Sequence, residues 1–149
     1  MTRRGFTFIE ILIVMILIGV VSALMFPRLR GAFEKTNVHG ARAALGTLAA
    51  KARAAAVARG CRSAIHFSGV DSGTVWVTVC KVNSSSGIDT LGGVEHLASR
   101  FSVTLTASRD SVTYAPSGVS FDNVLTILRL SSGTTTDSVM INQVGKVVR

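Results

Sequence analysis

One carboxylate stands out by its position. Glu10 is the single charge in FTFIEILIVMILIGVVSALMF, the run from Phe6 to Phe26 that follows MTRRG. A carboxylate inside an apolar span costs about 2.5–3.5 kcal/mol on insertion scales, so such a group usually has a partner. Glu10 lies one helical turn from Phe6. The other residues able to do chemistry are dispersed. His39, His66 and His96 are far apart and lack the spacing of a metal site. The acids after Cys61 come singly, so no calcium loop is visible. Neither a nucleophile elbow nor a phosphate-binding glycine loop occurs. These observations predict no enzyme, no metal and no cofactor.

The element that must carry Glu10 is the apolar run itself. Its 21 residues, at about 1.5 Å per residue in a helix, match a hydrocarbon core of roughly 30 Å. A helix apolar all round belongs in a bilayer or in the centre of an assembly. A plain membrane anchor fits this. A cleaved secretory signal fits poorly, because the run exceeds the usual 7–15 residues and ends in MFPRLRG without a small-x-small site.

Pro27 and Gly31 then predict a kink or local unwinding. A full break into two helices at Pro27 is the alternative. Beyond them Val38, Ala41, Leu45, Leu48, Ala52 and Ala55 recur at spacings of three and four, the period of an amphipathic helix. Gly60 is placed as a C-cap, with Arg59 at the negative end of the helix dipole. One helix from about Phe6 to Arg59 is therefore possible. The formal net charge is +8 over 149 residues. The excess sits in the stem, 27–60, where seven basic residues face Glu34 alone; from Cys61 onward basic and acidic residues nearly balance. The basic pI is thus no argument for nucleic-acid binding by the downstream region.

After Gly60 the period changes from 3.6 to 2. CRSAIHF (61–67) and TVWVTVCK (74–81) read as a hairpin around SGVDSG. Symmetric closure sets Phe67 against Thr74, Ile65 against Trp76 and Cys61 against Cys80. This register predicts a Cys61–Cys80 disulfide and puts Cys61, Ile65, Phe67, Trp76 and Cys80 on one face. Such a bridge over about 20 residues contributes roughly 3 kcal/mol and implies an oxidising compartment. Residues 83–93 read as a Ser/Gly-rich loop. Short strands are expected at 101–106, 111–115, 118–122, 124–131, 138–143 and 145–149. The expected fold is α+β, a long helix packed on an antiparallel β head of one or two sheets. Its divisions are 1–5, 6–26, 27–60 and 61–149.

MTRRG followed by FTFIE resembles the leader of a type IV prepilin. Gly5 takes the last leader position, Phe6 the first mature position, Glu10 the fifth and Pro27 the twenty-second. The resemblance implies cleavage between Gly5 and Phe6 by a prepilin peptidase, N-methylation of Phe6, and a role for Glu10 in aligning subunits. Tyr114-Ala115-Pro116-Ser117-Gly118 and Gly145-Lys146-Val147-Val148-Arg149 are similar to phrases of H-type minor pseudopilins and of FimT/FimU-type minor pilins. This implies a structural subunit that initiates or caps a type IV pilus or a type II secretion pseudopilus. Its partners would be the prepilin peptidase, other pilin subunits and the inner membrane, with the head outside the cytoplasm. The alternative is a DNA-binding minor pilin of natural transformation, using Lys146 and Arg149. There Val148 stands where that family carries its second arginine, and one aligned lysine gives little phosphate affinity.

Overall fold

The computed structural model describes residues 6–68, 73–81 and 87–148. Helix α1 spans Phe8–Arg59. Two compact units divide the chain, one through Phe33 and one from Glu34 to Arg149.

In the first unit, Thr7 starts the helix. Its carbonyl accepts the Glu10 and Ile11 N–H groups at 3.1 and 3.3 Å, and its Oγ1 lies 3.3 Å from the Glu10 nitrogen. The Glu10 N–H is thus shared between the carbonyl and the hydroxyl of Thr7, which anchors the first turn. The apolar side chains that follow are exposed. The helix is long and apolar enough to cross a membrane. Helical backbone continues through Pro27 and Gly31, so the expected local unwinding is absent, and α1 is one element rather than two. Good helix formers on both sides (Leu24, Met25, Leu29, Ala32) sustain it across the missing N–H.

In the second unit, α1 buries Val38, Ala41, Leu45, Leu48, Ala49, Ala52, Ala55 and Ala56. Alanine dominates this stripe, which lets the β layer come close to the helix axis. The helix ends at Gly60, in the left-handed region at φ +62°. Gly60 N–H donates to the Val57 carbonyl and Cys61 N–H to the Ala56 carbonyl, the paired bonds of a Schellman cap.

The head is two antiparallel sheets. The first has β1 (Ser63–Ser68), β2 (Thr74–Cys80), β3 (Ile88–His96) and β5 (Ser111–Tyr114), in the order β3-β2-β1-β5. The second has β4 (Thr104–Ala107), β6 (Thr126–Ser132), β7 (Thr135–Ile141) and β8 (Val147–Val148), in the order β4-β6-β7-β8. A short helix, α2 (Leu97–Phe101), joins β3 to β4. The stem stripe, both sheets and Leu97 share one core.

Four expectations need correction. The β1–β2 register is one residue away from symmetric closure, with Phe67 opposite Val75, Ile65 opposite Val77 and His66 opposite Trp76. This turns Val75, Val77 and Val79 into the core and Trp76 to the other face. Three β-branched side chains fill a dry layer better than one indole with an N–H to satisfy. Residues 88–96 are strand rather than loop, accommodated by a register irregularity between Trp76 and Thr78 and by Gly92 and Gly93 at positive φ. Residues 97–101 are helix, so only the end of the strand expected at 101–106 survives. Residues 118–122 form no strand, only a Tyr114–Ser120 bridge.

Candidate functional sites

The residues expected to serve processing and assembly lie at the start of the chain, Glu10 in the first turn of α1. Gly5 is outside the described residues. Phe6 is 80 % exposed. It shares with Glu10, Ile11, Val14, Met15 and Ile18 a groove of about 330 Å³. Phe6 precedes the helix, and the fold nevertheless brings it to the same groove as Glu10. Thr7 is the residue that the functional reading of the sequence missed. Its signal was present as Thr7-x-x-Glu10, the spacing of a capping box. The Thr7 bond fixes where the helix begins and therefore from which face Glu10 projects.

The cysteines are joined as Cys61–Cys80, with Cα atoms 6.2 Å apart. The bridge lies outside the strand ladder that was expected to hold it. Cys61 is the residue after the helix cap, two before β1 begins, and Cys80 closes β2. Arg59 reinforces the same junction. Its guanidinium donates to the Cys80 carbonyl at 2.9 Å and pairs with Asp89 of β3 at 3.4 Å. The end of the stem, β2 and the edge strand β3 are thus tied together.

At the stem's other end, Glu34 accepts two bonds from Thr134, from the backbone N–H and the hydroxyl, both at 3.1 Å. Gly133 beside it has φ +56°, and a Cβ there would overlap the Glu34 carboxylate. Arg42 pairs with Asp137 of β7 at 3.1 Å. Two acids of the head, Asp89 and Asp137, and one acid of the stem, Glu34, therefore tie stem and head at defined points along the stem.

The two phrases singled out in the head meet each other. Tyr114 is fully buried, and its hydroxyl donates to the Gly145 carbonyl at 3.2 Å. Gly145 has φ +81°, and a Cβ there would stand 2.6 Å from Tyr114 Cε1 and 3.1 Å from the Ser120 nitrogen. Gly118, at φ +77°, leaves room for Val57 and Arg53 of the stem. Burial raises the Tyr114 pKa above its ordinary value, and Arg53 opposes that shift. Both phrases are thus fitted to one packing node where the closing turn meets β5.

Lys146 is exposed and lies in the turn before β8, with its N–H donating to Asn142 Oδ1 at 2.7 Å. Arg149 is outside the described residues. His66 stacks on Trp76 with ring centroids 5.2 Å apart, and its Nε2 is 2.8 Å from Thr78 Oγ1. Partial burial lowers its pKa. Among the described residues, no three or more His, Cys, Asp or Glu side chains are grouped to hold a metal ion.

Comparison with known proteins bears on both units. Residues 1–26 match the family described as the prokaryotic N-terminal methylation motif. The fold is similar to two crystal forms of the type IV minor pilin FimU of Pseudomonas aeruginosa. For the first, the TM-score is 0.61 at 14 % identity, covering 77 % of this chain and 89 % of FimU. For the second, it is 0.57 at 14 % identity, covering 74 % and 90 %. No curated protein sequence matches the chain. The chain thus carries a prokaryotic methylation motif at its start and is similar in fold to a type IV minor pilin.

Proposed function

We propose that the chain is a minor pilin or pseudopilin, a structural subunit that initiates or caps a type IV pilus-like filament. The observation that carries this is the methylation motif ending in an exposed apolar helix at whose start Phe6 and Glu10 line one groove. In this reading the prepilin peptidase cuts between Gly5 and Phe6 and methylates the new amine. The chain begins as a single-pass inner-membrane protein with its head outside the cytoplasm, and the Cys61–Cys80 bridge suits that oxidising side. The Glu10 carboxylate then draws in the Phe6 amine of a neighbouring subunit. Their attraction is strong only in a dry environment, so alignment and burial occur together.

The test is Glu10→Val in the full-length chain. Membrane insertion is retained, because an apolar residue replaces a costly one. Incorporation is lost, measured as co-purification with the other pilin subunits of the host. Normal co-purification of this variant would refute the role of Glu10. The DNA-binding alternative has less support. Lys146 is a single exposed cation in a tight turn, and phosphate affinity grows with the number of such contacts.

A further inference from the structure

We propose that the helix surface around Arg28 is a binding site for an anionic phospholipid, which holds the subunit in the membrane before assembly. The proposal rests on the membrane-held stage described above. Leu24, Met25, Arg28 and Leu29 line one groove of about 360 Å³. Leu24 and Arg28 are one turn apart, as are Met25 and Leu29, so the four share a face. Three of the residues that line this groove are apolar and the fourth is an arginine. That is the outline of an acyl chain with a phosphate at its head. Its depth is also right. Arg28 follows the apolar run by two residues, which places it at the headgroup level when Phe6–Phe26 spans the hydrocarbon.

The charge pattern selects an anionic lipid. Glu10 is the only acidic residue between Phe6 and Phe33. Arg28 has no ion-pair partner among the described residues. A guanidinium offers a planar fork that matches two phosphate oxygens, which an ammonium does not. Arg30 supplies an internal comparison. It carries the same charge at nearly the same depth, but two residues turn the helix by about 200°, so it lies away from the groove. A membrane surface potential acts on both arginines; a built site acts on Arg28.

The consequence concerns assembly. A subunit leaving the bilayer must release this lipid, so Arg28 sets part of the threshold for extraction. Arg28 would then act against release and Glu10 in favour of it, from opposite ends of the same apolar run.

The experiment uses the full chain in phosphatidylcholine vesicles with a trace of spin-labelled phosphatidylglycerol or spin-labelled phosphatidylcholine. The motionally restricted fraction gives the relative association of the two lipids. One interfacial arginine corresponds to about a fivefold preference for the anionic lipid. The expected preference falls close to one in Arg28→Gln, is partly kept in Arg28→Lys, and changes by less than about twofold in Arg30→Gln. Equal losses in Arg28→Gln and Arg30→Gln would leave a diffuse surface potential and overturn the site. An undiminished preference in Arg28→Gln overturns it as well. Flotation with pure phosphatidylcholine vesicles separates the two levels: a chain that fails to insert there refutes the membrane-held stage, and the lipid site with it.

Discussion

Replacing Gly145 with alanine tests the node at which the two head phrases meet. The residue sits at φ +81°, where a Cβ meets the following carbonyl oxygen and costs about 1–2 kcal/mol. The added carbon would also stand 2.6 Å from Tyr114 Cε1 and 3.1 Å from the Ser120 nitrogen. Tyr114 is fully buried and cannot swing aside, so one of these groups must shift. Overpacking of that kind costs about 1–3 kcal/mol. The sum is about 2–5 kcal/mol, a large share of the roughly 5–15 kcal/mol that stabilises a domain. For a unit of this size it lowers Tm by about 10 °C.

The assay is thermal unfolding of the full chain in detergent, followed through the half-buried Trp76. Two further variants divide the cost. Tyr114→Phe keeps the ring and removes only the bond to the Gly145 carbonyl, so it costs about 1 kcal/mol. Tyr114→Ala costs about 3–5 kcal/mol alone, but it empties the space that the Gly145→Ala methyl needs. The double variant is therefore less destabilised than the two single variants together. A Gly145→Ala protein within about 0.5 kcal/mol of wild type, or strict additivity with Tyr114→Ala, refutes this account of the node.

Two further outcomes follow from the head. Removing the bridge with Cys61→Ser and Cys80→Ser lowers stability by about 3 kcal/mol, since it frees a loop of about 20 residues in the unfolded chain; denaturant titration against the oxidised wild type measures this, and a loss under about 1 kcal/mol contradicts it. Stability also falls as pH drops below about 6.5, because burial holds the folded His66 pKa below the unfolded value and the unfolded chain takes up the proton first. The loss levels off once pH is below the folded pKa. His66→Gln removes this part of the pH dependence, read from denaturation midpoints across that range, and an unchanged dependence assigns the effect to another group.

Periodicity made the stem readable and the hairpin only half so. The six stripe residues Val38, Ala41, Leu45, Leu48, Ala52 and Ala55 are all buried, because a 3.6-residue period held over five turns has one solution. In β1, Ile65 and Phe67 were assigned to the correct face; in β2 the assignment was inverted. The cause was taking the loop to close symmetrically, a register that also set the two cysteines opposite each other. A disulfide tolerates a range of offsets, so it constrains proximity and leaves register open. Register came from the valine alternation at 75, 77 and 79, and a one-residue slip exchanges the faces of a strand. Strand β3 was hidden for a related reason. IDTLGGVEH has no alternation, and its pairing depends on β2 and on Arg59 holding Asp89.

The same distinction separates the two candidate sites. Phe6, Thr7 and Glu10 lie within five residues at the start of α1, so spacing alone brings them close. Tyr114 and Gly145 are thirty-one residues apart, and no local period relates them. What the sequence did show there was composition: a tyrosine before Ala-Pro-Ser-Gly, and a glycine opening the last strand. The structure explains why those residue types occur. The glycine must have no side chain because the tyrosine ring occupies that volume, and the tyrosine must carry a hydroxyl because the Gly145 carbonyl is otherwise buried without a donor. Each residue is the condition for the other. A side chain at 145 should therefore be tolerated only where the ring at 114 is made smaller, and that coupling links the closing turn to β5 and, through Gly118, to Val57 and Arg53 of the stem.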